Sequence, residues 1–332
     1  MVKQNRPKVR LYSLGGTISS ARSEAGKTGV APSLDGRDLI KSIPGIEDVA
    51  QVDPRAFSRV ASGDLDYNLL FDLASQIQED LNCDFDGIVV TQGTDTTEET
   101  AFVLDLLVDS VKPVVVTGAM RNPTLAGPDG PANVLAAVVV ASSPLCQNLG
   151  TVVVFNDEIH AARFVRKTHT SSPSTFKSPG FGPMGYVVEN KVRIGLRVND
   201  SVKFECPDKH EVVPSVALVK FTLGDNDQLL SLIERSGKFE GLIIEGFGGG
   251  HVPSETVETI ERLAKVMPVV LSSRTGAGEV LSKTYSFPGS ESDLLSRGLI
   301  SSGGLSSLKA KIVLTLCLSL GVEREKIGHY FQ

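Results

Sequence analysis

Two threonines stand where strand-like runs give way to glycine turns. The apolar run Ile88-Val89-Val90-Thr91 breaks at Gln92-Gly93 into Thr94, Asp95 and Thr96, and a helical pattern follows. Near the start, Val9 to Leu14 reads as a strand that ends in Gly15-Gly16-Thr17-Ile18. In an open parallel sheet the carboxyl ends of strands are where ligands bind, because the loops and helix N-termini there present unpaired backbone N–H groups. A hydroxyl and a carboxylate at that edge can hold a polar ligand, or attack one if a neighbouring base takes the hydroxyl proton. An ordinary helix start is the other reading, since Asp95 or Thr96 with Glu98 or Glu99 beyond has the make-up of an N-cap.

The elements that must position these residues alternate strand and helix, the mark of βαβ units and a mainly parallel sheet. Further strands are expected at Val49 to Val52, Arg59 to Ala61, Gly87 to Thr91, Val114 to Thr117 and Thr151 to Phe155. Helical periodicity marks Tyr67 to Leu81, Glu98 to Val108 and Ala132 to Ala141. Residues 157 to 213 are rich in Ser, Thr, Pro and Gly and read as hairpins followed by a linker. With 332 residues, more than one core usually accommodates, two domains are expected. They are a large N-terminal α/β domain over 1–195 carrying a mainly parallel sheet flanked by helices, a linker over 196–214, and a smaller C-terminal α/β domain over 215–332.

Composition excludes several classes of function. A net charge of −6 without a basic tract argues against a nucleic-acid footprint. No stretch is long enough to span a bilayer, and the N-terminus lacks a signal-peptide pattern, so a cytoplasmic protein is expected. Cys83, Cys146, Cys206 and Cys317 are scattered and read as reduced thiols. His160, His169, His210, His251 and His329 show no metal-ligand spacing, and the glycine run Gly246 to Gly250 lacks the lysine of a phosphate loop, so neither metal nor cofactor is expected.

Six ordered segments resemble the bacterial-type L-asparaginase family, which also includes glutaminases. They are Gly15-Gly16-Thr17-Ile18; Gln92-Gly93-Thr94-Asp95-Thr96; Gly118-Ala119-Met120-Arg121 with Asp129-Gly130-Pro131; Asn156-Asp157 leading to Arg166-Lys167-Thr168; Thr175-Phe176-Lys177-Ser178 with Gly182-Pro183; and Leu305 to Lys311. The resemblance implies an amidohydrolase that converts L-asparagine to L-aspartate and ammonia through an acyl-enzyme on Thr17, without a cofactor. It implies that Thr94, Asp95 and Lys167 form a hydrogen-bonded triad and that Asp95 also binds the substrate α-ammonium. Ser62 aligns with the family's substrate serine, and Ala119 with a residue whose backbone lines the oxyanion region beside the N–H of Thr94. Glu291 falls where relatives carry a glutamate that reaches a neighbouring subunit's site, which implies a homodimer or homotetramer.

Three positions depart from the family pattern. Gly63 stands where glutamine is common, His251 where asparagine is frequent, and the loop Ser19 to Pro32 has no tyrosine, which leaves water, Lys167 or Glu291 to activate Thr17. Lys167 alone, within Arg166-Lys167-Thr168-His169, reads as a surface charge. Arg121 and Asp129 are expected to form a structural ion pair. Alternative readings are a dual glutaminase-asparaginase and a catalytically silent amino-acid sensor on the same scaffold. The ammonia-releasing component of a tRNA-dependent amidotransferase is a further one, and it is expected to carry an extra domain before the Gly-Gly-Thr strand.

Overall fold

The structure is a computed structural model describing residues 6–15, 20–22, 30–32, 40–41, 43–198, 202–207 and 212–331. The chain divides into two compact units, Met1–Cys206 and Pro207–Gln332. In the first unit β1 (Lys8–Ser13) is the pivot, while β2 (Ser20–Arg22) and β3 (Val30–Pro32) form a small antiparallel pair. On one side β1 pairs in parallel with β4 (Gln51–Ala56), and on the other with β5 (Gly87–Thr91). The sheet continues in parallel through β6 (Val114–Thr117) and β7 (Thr151–Phe155). It ends in an antiparallel run of β8 (Glu158–Ala161), β11 (Gly185–Val188) and β12 (Lys191–Ile194). Since the chain goes from β1 outward to β4 and then returns to the opposite side for β5, the strand order reverses between β1 and β5. In an open α/β sheet the carboxyl ends of the strands at such a reversal border the crevice in which ligands bind.

Strands β5, β6 and β7 are buried along their whole length, so they read as continuous β-branched runs rather than alternating ones. Helix Tyr67–Asn82 buries Leu70, Phe71, Leu73, Ala74, Ile77 and Leu81 at helical spacing. Its first turn is fixed by Asp66, which accepts the N–H of Leu69 at 2.8 Å. Helix Thr97–Leu107 is buried nearly all round, and Gly130–Ala141 carries Pro131 in its first turn, where the missing N–H costs nothing. The valines and alanines of the latter pack with Val9, Leu11, Val89, Val115, Val152 and Val154 in one core. Burying such side chains is worth roughly 1.5–3 kcal/mol each, which makes this layer the rigid base of the crevice.

The expected strand at Arg59 to Ala61 is not formed. The edge strand is β4, Gln51–Ala56, and Pro54 sits within it opposite Leu11. An edge strand tolerates proline because its outer N–H groups are not needed for pairing. Residues after it run irregularly into a 3-10 turn at Ser62–Asp64.

The second unit is a parallel sheet in chain order: β13 (Val216–Lys220), β14 (Gly241–Gly246), β15 (Val269–Ser273) and β16 (Ile300–Ser301). Helices Gln228–Ser236 and Val257–Val266 turn apolar faces, including Leu230, Ile233, Ile260 and Leu263, into a core with Leu242, Ile244 and Leu271. The four cysteines are free thiols. Burial pushes Cys146 up to about 11 and Cys317 up to about 12. Among the described residues, no helix is long and apolar enough to cross a membrane, and no group of three or more His, Cys, Asp or Glu side chains could hold a metal ion.

Candidate active site

Each wall of the crevice follows from a strand end. After β5 the chain passes Gln92 and Gly93 into a 3-10 turn at Thr94–Thr96, and helix Thr97–Leu107 begins there. A side chain at Gly93 would put its Cβ 2.7 Å from Ser62 Oγ, so only glycine lets the Ser62 turn approach this closely. Gly15, after β1, has φ +108°, and a Cβ there would meet the Val60 carbonyl at 2.6 Å. The two glycine turns are therefore both consequences of the segment that returns from β4.

Lys167 arrives from a different element. It lies on β9 (Arg166–Lys167), a two-residue strand paired antiparallel with β10 (Phe176–Lys177). So short a pair does not hold itself. Phe176 is buried and packs on Phe155 with ring centroids 4.3 Å apart, while Ser178 Oγ meets His160 Nδ1 at 2.9 Å. Lys177 pairs with Glu158 Oε2 at 2.8 Å. These contacts tie the hairpin to β7 and β8. Because a Glu158 carboxylate only accepts, His160 donates from Nε2, and in that tautomer Nδ1 accepts the Ser178 hydroxyl; burial lowers the ring's basicity, partly offset by Glu158.

The three groups meet as one cluster. Lys167 Nζ donates to Thr94 Oγ1 at 2.9 Å and to Asp95 Oδ1 at 2.7 Å. Ser62 Oγ lies 3.3 Å from Asp95 Oδ2 and accepts the Asp95 N–H at 3.4 Å. The Lys167 hydrogen bond, partly offset by burial, holds the Asp95 carboxyl below the usual carboxylate range. Thr94 and Ser62 are buried, whereas the Asp95 side chain is 74 % exposed and so open to a ligand. Lys167 is not the surface charge its local sequence suggests, since its side chain is only 17 % exposed. Nor does Asp95 cap the helix: the N-cap is Thr96, and its side chain makes no capping bond.

Other expected residues are placed as follows. Gly63 lies in the Ser62 turn with open space where a side chain would be. Ala119 is buried one residue beyond Gly118, whose carbonyl accepts from Asn133 Nδ2 at 3.0 Å. Asp129 does not pair with the Arg121 guanidinium; its carboxylate accepts the backbone N–H groups of Met120 (3.1 Å) and Arg121 (2.8 Å) and the Asn133 amide (3.2 Å). Tyr12 is buried within β1 and donates to Asp80 at 2.5 Å; burial and that bond push its phenol well up. Thr17 and most of the loop Ser19 to Pro32 lie outside the described residues.

Glu291 belongs to the second unit and is fully buried in the first turn of helix Glu291–Ser296. Oε1 accepts the N–H groups of Thr284 (2.9 Å) and Tyr285 (2.8 Å), and Oε2 lies 3.1 Å from His251 Nε2. Burial raises its carboxyl, but those backbone donors outweigh it and hold the group below its ordinary value. The ring of His251 stands edge-on to Tyr285 and Phe287, at 4.9 and 5.2 Å between centroids. One residue was missed by sequence reasoning: Glu98, buried, accepts the Lys167 N–H at 3.2 Å. Its local sequence signals only a helix first turn.

The chain thus has a doubly wound α/β unit that bonds a hydroxyl, a carboxylate and a lysine amine together at its switch point. The N-terminal asparaginase family model matches residues 8–199, and the glutaminase/asparaginase C-terminal domain model matches residues 215–331. The chain is 35 % identical to an L-asparaginase of Bacillus licheniformis over 94 % of its length and 95 % of the relative's. It is 33 % identical to L-asparaginase 2 of Escherichia coli, covering 98 % and 92 % of the two chains. A probable cytoplasmic L-asparaginase from Campylobacter jejuni superposes with a TM-score of 0.87 at 32 % identity, over 98 % of this chain and 99 % of that one. The chain belongs to the asparaginase family.

Proposed function

We propose that this protein is an L-asparaginase, hydrolysing L-asparagine to L-aspartate and ammonia through an ester on Thr17. The observation that carries the reading is the Lys167 ammonium bonded at once to Thr94 and Asp95 at the sheet's switch point. The exposed Asp95 carboxylate receives the substrate α-ammonium, and Ser62 with the backbone of its turn receives the α-carboxylate. Backbone N–H groups at Thr94 and Ala119 stabilise the oxyanion. The proton that Thr17 loses on attack reaches the departing amide nitrogen by way of Lys167 and Thr94, so that ammonia leaves, and the same pair orients the water that resolves the ester. The protein acts in the cytoplasm as a homodimer or homotetramer. Since the Glu291 carboxylate is spent on its own protomer, its part in a neighbouring site is to orient His251.

The open space at Gly63 favours a second substrate, L-glutamine, because one methylene is worth only about 1–3 kcal/mol of discrimination. Ammonia release from L-asparagine and L-glutamine, with Thr17→Ala and Thr94→Ala alongside, tests both readings. Release that both substitutions abolish supports the asparaginase, and a comparable rate on glutamine supports the dual enzyme. No release by folded protein, together with calorimetric binding of asparagine, would replace both with a silent sensor.

A further inference from the structure

The start of helix Thr97–Leu107 grips both flanks of the cluster. Thr96, at the N-cap, spends its hydroxyl away from the helix: Oγ1 donates to the Ser62 carbonyl at 2.9 Å. A carbonyl only accepts, so the single hydroxyl proton is committed to Ser62. The oxygen's lone pair is in turn held by Gln92 Nε2 at 3.3 Å, and the same amide nitrogen donates to the Gly93 carbonyl at 3.2 Å, which fixes the orientation of the Gln92 side chain. Two residues further on, Glu98 reaches the opposite flank, where Oε1 accepts the backbone N–H of Lys167 at 3.2 Å. Its Oε2 is buried without a hydrogen-bond partner among the described residues. A buried carboxylate with one idle oxygen costs stability, although the helix N-terminus offsets part of that cost.

We infer that Thr96 and Glu98 are separate positioning residues for the two halves of the reaction: Thr96 sets the Ser62 turn that takes the substrate carboxylate, and Glu98 sets the strand that delivers Lys167. This rests on the roles proposed above for Ser62 and Lys167. Neither residue touches substrate, so each acts through the group it holds. A fault in the Ser62 turn weakens binding, whereas a fault in the Lys167 strand slows proton transfer. The two lesions therefore separate in KM and kcat.

The test is steady-state ammonia release from L-asparagine by wild type, Thr96→Val, Thr96→Ser, Glu98→Met and Glu98→Gln, each checked for a wild-type thermal melt. Valine keeps the shape of Thr96 without its donor, and methionine fills the Glu98 space without an acceptor. Thr96→Val is expected to raise KM about three- to tenfold with kcat little changed. Glu98→Met is expected to lower kcat about tenfold or more with KM little changed. Serine and glutamine, which keep the donor and the acceptor, restore most of each loss. If Thr96→Val does not fold, Thr96→Ala takes its place; if Glu98→Met does not fold, Glu98→Leu does. Parallel changes of kcat and KM in both variants, no change in either, or failure of serine and glutamine to rescue would overturn the inference while leaving the asparaginase reading intact. Absence of ammonia from the wild type would overturn that reading, and the inference with it.

Discussion

Replacing Lys167 by methionine separates chemistry from stability. Methionine keeps most of the buried hydrocarbon, since the lysine side chain is only 17 % exposed, and removes the bonds to Thr94 (2.9 Å) and Asp95 (2.7 Å). The structural loss is small. Asp95 is 74 % exposed, so water replaces the ammonium and the pair contributes no more than about 1 kcal/mol after screening. The catalytic loss is large, because a positioned proton-transfer group is typically worth about 10²–10⁴ in rate. Ammonia release by Lys167→Met is therefore expected to fall at least about a hundredfold in kcat, with the thermal midpoint within about 3 °C of wild type. The Asp95 carboxyl is depressed in the folded protein, so its contribution to stability is present above the unfolded value near ~4 and is lost as pH falls through the folded one. The part of the stability difference between wild type and Lys167→Met that comes from Asp95 should accordingly vanish under acid conditions, leaving only that of the Thr94 bond. A folded variant that retains kcat within threefold would refute the role given to Lys167.

Gly93→Ala puts a Cβ 2.7 Å from Ser62 Oγ and 3.0 Å from Ser62 Cβ, so the Ser62 turn must retreat. KM for asparagine is expected to rise about tenfold, and chemical denaturation to report a loss of roughly 1–3 kcal/mol; an unchanged KM would detach Ser62 from substrate binding. Glu291→Met withdraws the acceptor from the N–H groups of Thr284 and Tyr285, which lie in an exposed segment where water can partly replace it, so a loss of about 1–2 kcal/mol is expected in denaturant melts. The Glu291 carboxyl is held low in the fold, so its contribution is present above its unfolded value and lost on acidification. Glu291→Gln, which cannot titrate, should show a shallower acid dependence than wild type.

Strand ends with a glycine turn and a hydroxyl were legible because buried parallel strands write continuous apolar runs, as in β5, whose break at Gly93 marks the site. The edge strand was less legible. β4 is only partly buried and carries Pro54, so its pattern resembles a loop: the strand expected at Val49 to Val52 overlaps it only at Gln51 and Val52, and the one expected at Arg59 to Ala61 falls beyond its end. Asp129 shows a second limit: besides the Asn133 amide its partners are the backbone N–H groups of Met120 and Arg121, which every residue other than proline possesses and no side chain advertises. Glu98 shows a third. It meets Lys167 across 69 residues of chain, and only the folded hairpin β9–β10 brings them together. Lys167 itself was found through the family resemblance, since the residues around it read as an exposed charged turn.

The strand order that opens the crevice also governs when it can come into being. β1 is made first, yet its partners are β4, in which Val9 faces Val52, and β5, in which Val9 faces Gly87. A chain emerging from the ribosome therefore carries its first strand unpaired while the segment to Ala56 is synthesised, and cannot close the β1–β5 junction until Thr91 has followed. Pairings this distant in sequence require loop closure before any contact repays it, and they slow folding. The Lys167 hairpin comes later still. The two glycine turns and the lysine can thus converge only once the chain has been made through Lys167, long after β1 and β4 are available to pair.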